Sequence, residues 1–114
     1  MILNKGKFNG KQVLSEQAVN AMQLNRISAD TKIMGTPEEA GNFTYGSGLW
    51  VMDGKAYLEK SNEVSSPGLF GSFPWINNQL NYAGFLFTFN LKTKGRHERY
   101  VELMQLVNHA IQQK

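Results

Sequence analysis

The segment Tyr82-Ala83-Gly84-Phe85-Leu86-Phe87-Thr88-Phe89-Asn90 constrains the fold more than any other part of the chain. Side chains of an extended strand alternate, so Ala83, Phe85, Phe87 and Phe89 share one face while Tyr82, Leu86 and Thr88 share the other. Both faces carry bulk, which predicts a central strand buried on two sides. A stripe of aromatic rings also suits base stacking in a single-strand nucleic-acid binder. Core packing is the stronger account, because aromatic side chains dominate buried strands in general. Just downstream, Tyr100, Leu103, Met104, Val107 and Ile111 recur at helical spacing, with Glu98, Glu102, Gln105 and Asn108 turned outward. A C-terminal amphipathic helix over about 96–112, packed across a sheet, follows from that pattern.

Upstream segments fit the same scheme. Phe8-Asn9-Gly10-Lys11 reads as a tight turn between short pieces. Ser15 is a good N-cap, Glu16 suits the positive end of a helix dipole, and Leu14 with Val19 makes a hydrophobic staple. A helix over about 15–25 is expected, with Met22 in the core. Residues 26–43 keep no period and read as a long loop. From Thr44 the pattern turns to strands, with Asp53-Gly54 predicted to turn a hairpin into Lys55–Leu58. Residues 63–68 and 69–76 supply further strand material, and Pro67, lacking an amide donor, should sit at a sheet edge or a bulge. Residues 77–81 read as a polar turn. The expected fold class is α+β: an antiparallel sheet of about three to five strands flanked by an N-terminal helix and the C-terminal helix.

Composition narrows the chemistry. A chain of 114 residues supports a single domain over 1–114. Twelve Lys and Arg against nine Asp and Glu leave a net charge of only +3. The one basic cluster, Lys92, Lys94, Arg96 and Arg99, has Glu98 and Glu102 beside it and reads as a solvated loop and helix start, so no nucleic-acid partner is expected. With no cysteine there is no disulfide, thiolate nucleophile or zinc cluster. His97 and His109 read as surface positions without metal spacing, and Asp30, Glu38 and Glu39 as solvated loop acids. No metal or other cofactor is implied. No apolar run approaches the roughly 18 residues of a membrane span. The first residues lack the apolar core of a signal peptide, so an exported parent would carry its signal upstream.

Three phrases carry a resemblance: Tyr45-Gly46-Ser47-Gly48-Leu49-Trp50, then Ser65-Ser66-Pro67-Gly68-Leu69-Phe70-Gly71-Ser72-Phe73-Pro74-Trp75, then Arg96-His97-Glu98-Arg99-Tyr100. In this order they resemble the C-terminal part of the penicillin-recognising serine hydrolases, which include class C β-lactamases, D-Ala-D-Ala carboxypeptidases and related esterases. The resemblance implies that Met1 is internal to a longer hydrolase and that loop 26–43 lies near the substrate cleft. Members of that superfamily carry Lys-Thr-Gly or His-Ser/Thr-Gly on the strand lining the active site, with a second glycine three residues on. Here Ser66-Pro67-Gly68 stands in that place and Gly71 in the place of the second glycine. The resemblance makes Ser66, Pro67, Gly68 and Leu69 substrate-binding residues, with the Leu69 amide as an oxyanion donor.

No catalytic residue is assigned. A serine of this class needs a lysine three places on. After Ser15, Ser28, Ser47, Ser61, Ser65, Ser66 and Ser72 stand instead Ala18, Thr31, Trp50, Val64, Gly68, Leu69 and Trp75. The Tyr-x-Asn element is missing as well: Tyr45, Tyr57, Tyr82 and Tyr100 are followed by Ser47, Glu59, Gly84 and Glu102. Lys92-Thr93-Lys94-Gly95 interposes a lysine in the third pattern and reads as a solvated connection. The chain is thus expected to be a catalytically incomplete part of a hydrolase whose parent takes a small-molecule or peptide substrate. The alternative is a free-standing α+β binding or assembly module. Under either reading the open sheet edge predicts self-association.

Overall fold

The computed structural model describes residues 1–114. Strands β1 (Lys7–Phe8) and β2 (Lys11–Gln12) form a small antiparallel hairpin. Asn9 and Gly10 between them take φ of 47° and 76°, the left-handed pair that a two-residue hairpin loop requires. Helix α1 (Glu16–Met22) starts where the sequence puts its cap: Ser15 Oγ accepts from the Ala18 amide at 3.0 Å. Val19 is buried and Met22 half-buried. Residues 26–43 form the irregular segment expected of them.

The main sheet is antiparallel and runs in simple order: β3 (Thr44–Tyr45), β4 (Trp50–Val51), β5 (Glu63–Ser65), β6 (Phe73–Asn77) and β7 (Tyr82–Leu86). Helix α2 (Arg96–Gln112) matches its sequence-derived span and packs on one face. The core lies there. Phe73 and Trp75 from β6 meet Tyr100 and Met104 from α2, and the Phe73 and Tyr100 rings stack at 4.1 Å and 5°. Burying each such side chain contributes about 1.5–3 kcal/mol. Gly84, opposite Trp75 in register, leaves room for the indole, because a Cβ there would run into the ring.

Several expectations are corrected. The strand from Tyr82 ends at Leu86 and lies at the edge of the sheet, not its centre. Its two faces do alternate as read: Tyr82 and Leu86 pack towards α2. The other face is open, with Phe85, Phe87 and Phe89 exposed at 61%, 81% and 78%. Core packing therefore does not explain those rings. Bulk on both faces of a strand reports only that both are apolar, and nothing local specifies what covers them.

Asp53-Gly54 does not turn a hairpin either. The Asp53 carboxylate accepts from Ser61 Oγ at 2.6 Å and from the Asn62 amide at 2.8 Å, closing an irregular loop. β4 then pairs with β5 through Trp50↔Ser65 and Val51↔Val64. Pro67 falls outside the strands, in the connection after β5, which is itself an interior strand.

Asn108 points inward rather than outward. Its Nδ2 donates to Glu63 Oε1 at 3.0 Å, and its Oδ1 accepts from the Tyr82 hydroxyl at 2.7 Å. That hydroxyl also accepts from Trp75 Nε1 at 2.9 Å, and Asn77 Nδ2 donates to Glu63 Oε1 at 2.8 Å. A polar seam thus ties β5, β6, β7 and α2 together. Burial pushes the Tyr82 phenol above its ordinary range.

Candidate functional site

The connection from Ser66 to Ser72 joins β5 to β6 and holds every residue singled out for substrate binding. The ladder runs on past the strands: Gly68 donates its amide to the Ser72 carbonyl at 2.8 Å, and Gly71 donates back to Gly68 at 3.0 Å. Gly71 has φ of 101°, a conformation in which L side chains are strained. A Cβ there would also stand 2.7 Å from Thr88 Oγ1. The glycine in the second-glycine place is therefore required by the backbone itself.

Three successive carbonyls of this connection are drawn inward. Leu69 O accepts from Arg96 Nη1 at 2.7 Å, and Phe70 O from the Asn90 amide at 2.7 Å. Gly71 O accepts from both Thr88 Oγ1 and the Tyr100 hydroxyl, each at 2.8 Å. Burial raises the Tyr100 phenol above its ordinary range, and Arg96 opposes that shift. The amides of Leu69 and Phe70 find no acceptor within the chain, and Leu69 is 70% exposed. The connection is thus held from inside the fold by its carbonyls, while these two N–H groups are left without a partner in the chain.

Ser66 is exposed and borders a shallow apolar trough of about 250 Å³ shared with Leu49, Pro74, Ile76 and Ala83. The Tyr45–Trp50 phrase reaches the same place. Gly46 lets the chain pass the Met22 and Leu24 carbonyls, 2.5 and 2.9 Å from where its Cβ would be. Trp50 then pairs with Ser65, which brings Leu49 beside Ser66. So the first two phrases of the resemblance converge at one end of the sheet.

The third phrase supplies a residue whose role the sequence did not reveal. Arg96 is only 2% exposed, although it reads in sequence as part of a solvated basic cluster. It pairs with Glu39, itself 4% exposed rather than a solvated loop acid. Its remaining donors go to the carbonyls of Leu69, Asn90 at 2.5 Å and Lys92 at 3.2 Å. Arg96 thereby joins loop 36–43, the 66–72 connection and the start of α2. Its charge is spent on Glu39, so it is not offered to a substrate carboxylate at Ser66. No spacing rule could have found a pair 57 residues apart. His97 is half-buried rather than on the surface, its ring edge-on to Phe43 at 4.7 Å. His109 is exposed and contacts Gln113. No helix is long and apolar enough to cross a membrane.

No protein-family model and no curated protein matches the chain. The structure is similar to the crystal structure of a "putative beta-lactamase" from Bacteroides dorei DSM 17855, with a TM-score of 0.63 and 26% sequence identity. The match covers 78% of this chain and 28% of that one, so the chain spans less than a third of the matched protein's length. Over most of its residues the chain is β-lactamase-like, with an α+β fold.

Proposed function

We propose that this chain is the C-terminal part of a serine hydrolase domain acting on an ester, peptide or β-lactam acyl group, and that it contributes a substrate-binding wall but no nucleophile. The observation that carries the reading is the Ser66–Ser72 connection, set in a β-lactamase-like fold with its carbonyls held and its Leu69 amide free. In acyl transfer the carbonyl oxygen becomes an oxyanion, and an amide already aimed at that position stabilises it without reorganisation. The Leu69 N–H takes that part. Ser66 stands where a lysine or histidine would hold a carboxylate, so neutral acyl groups are preferred over anionic ones. The serine, its lysine and the Tyr-x-Asn element come from the remainder of the parent.

The test has two readouts on the 114-residue chain. Incubation with a p-nitrophenyl ester and a chromogenic cephalosporin should give no turnover above background and no acyl adduct by mass spectrometry. Titration of ¹⁵N-labelled chain with a neutral phosphonate ester, a mimic of the tetrahedral intermediate, should shift the Leu69 and Ser66 amide resonances first. A covalent adduct on any serine sinks the incomplete-site reading, and shifts confined elsewhere sink the oxyanion assignment.

A second reading, a non-enzymatic binding or assembly module, is favoured by one observation, the exposed phenylalanine face of the β7 segment. Self-association is proposed under both.

A further inference from the structure

We infer that Arg96 and Glu39 are positioning residues for the Ser66–Ser72 connection, and that the backbone N–H they aim, that of Phe70, is a second oxyanion donor beside Leu69. The inference rests on the hydrolase reading above and adds a group to it. It begins with a turn. Gly71 donates its amide to the Gly68 carbonyl at 3.0 Å, which closes a four-residue turn over Leu69 and Phe70. Neither of these central residues has a positive φ, so type I is the turn that fits, types II, I′ and II′ each needing one. Both central residues of a type I turn are near the helical conformation. Their free N–H groups therefore point to the same side, as they do at the start of a helix.

Two different bonds aim the two donors. In a planar trans peptide the N–H lies opposite the C=O of the preceding residue, so whatever holds that carbonyl also aims the N–H. The Leu69 N–H shares its peptide with the Gly68 carbonyl, which the turn's own bond from Gly71 holds. The Phe70 N–H shares its peptide with the Leu69 carbonyl, which accepts from Arg96 Nη1 at 2.7 Å, 27 residues along the chain. One donor is set locally and the other from α2.

Arg96 has little freedom of its own. Its Nη1 also pairs with Glu39, and its Nη2 donates to the Asn90 and Lys92 carbonyls. Glu39 is held in turn by its surroundings. Glu38 Oε1 accepts from the Gly95 amide at 3.2 Å, and the His97 ring fills the space that a side chain at Gly41 would need. Loop 36–43, the first turn of α2 and the Leu69 carbonyl are thereby linked as one unit. A buried ion pair adds little net stability over apolar residues of the same volume. What Arg96 adds is a direction for one carbonyl. Every bond in this relay lies within the chain, so nothing from the remainder of the parent is needed to complete it.

NMR titration of the ¹⁵N-labelled full chain with the neutral phosphonate ester tests the assignment. In the unsubstituted chain the Leu69 and Phe70 amides should both move downfield as they donate to the phosphoryl oxygen. Arg96→Met/Glu39→Leu removes both charges and the aim of the Phe70 N–H, while leaving the turn's own bond. It should bind the ester roughly tenfold more weakly, with the Phe70 shift lost and the Leu69 shift retained. Arg96→Lys, which keeps a cation for Glu39 and a donor for Leu69, should fall between, and gives the same comparison if the double variant does not fold. Residual dipolar couplings without ester should show the Phe70 N–H reoriented in the variants and the Leu69 N–H unchanged. A merely structural role for Arg96 would disturb both alike, and that result overturns the positioning. An ester that shifts Leu69 but not Phe70 in the unsubstituted chain overturns the second donor and leaves the hydrolase reading standing. One that shifts neither amide overturns that reading and this inference with it.

Discussion

The two faces of the β6–β7 hairpin are built from the same kinds of residue and meet opposite fates. Towards α2, Phe73, Trp75 and Tyr82 pack with Tyr100 and Met104. On the other face, Pro74 and Ile76 are half-buried while Ala83 and Phe85 are exposed. The first face has a helix to receive it, supplied by the same chain a few residues later. The second has none at the β7 end, although Val51 and Val64, further along the sheet, are fully covered. Apolar alternation thus prepares a surface for burial, but burial needs a second element at the right distance.

Substitutions on the two faces should separate them. The largest effect is expected from Phe73→Ala, a loss of about 3–5 kcal/mol in urea unfolding, because the ring fills the centre of the core. A comparable value for Phe87→Ala, measured at monomeric dilution, would break the comparison. That change should stay within about 0.5 kcal/mol.

Arg96→Met should cost about 3–5 kcal/mol, since it leaves the buried Glu39 carboxylate without its partner. The double variant Arg96→Met/Glu39→Leu should recover part of that loss in the same assay. If it recovers none, the bonds from Arg96 to the Leu69, Asn90 and Lys92 carbonyls matter more than the ion pair.

Gly84→Ala sharpens the contrast within β7 itself. Its Cβ would enter the Trp75 ring, so thermal unfolding should show a loss of about 1–3 kcal/mol. Ala83→Val, one residue away on the open face, should be nearly silent.

The smallest effect concerns the polar seam. Tyr82→Phe should cost about 1 kcal/mol at neutral pH, through lost bonds to Trp75 and Asn108. Its pH dependence has a definite sign. Burial raises the Tyr82 and Tyr100 phenols above the ordinary 10.0, so in the unfolded chain they ionise first. Their contribution is fully present below pH 10 and is lost as pH rises through the folded values. Tyr82→Phe should therefore show a shallower loss of stability above pH 10 than the unsubstituted chain. An equal slope would mean that the phenol ionises as freely folded as unfolded.

Much of the fold was legible because its signals are local. Ser15 caps a helix with its own oxygen, Asn9-Gly10 takes the conformations a hairpin demands, and the spacing of Tyr100, Met104 and Val107 marks a helix. Asp53-Gly54 misled because Asp53 uses its carboxylate on Ser61 and Asn62, a choice that the dipeptide does not record. At the candidate site, the Ser66-Pro67-Gly68 phrase falls on the connection between β5 and β6. The device that fixes it, Arg96 with Glu39, was hidden inside what read as two solvated charge clusters.

The sequence alone determined the first hairpin, the cap of α1, the span of α2, which faces of the β7 segment are apolar, and that the chain lacks a Ser-x-x-Lys nucleophile. Only the tertiary structure decided which apolar face is covered, that β7 is an edge, and that Arg96 and Glu39 are buried together. The division has a physical cause. Capping, turn geometry and periodicity act within a few residues, where the order of side chains is itself the geometry. Coverage of a face and pairing of distant charges depend on where other elements come to rest, and one residue's neighbours in sequence carry no record of that.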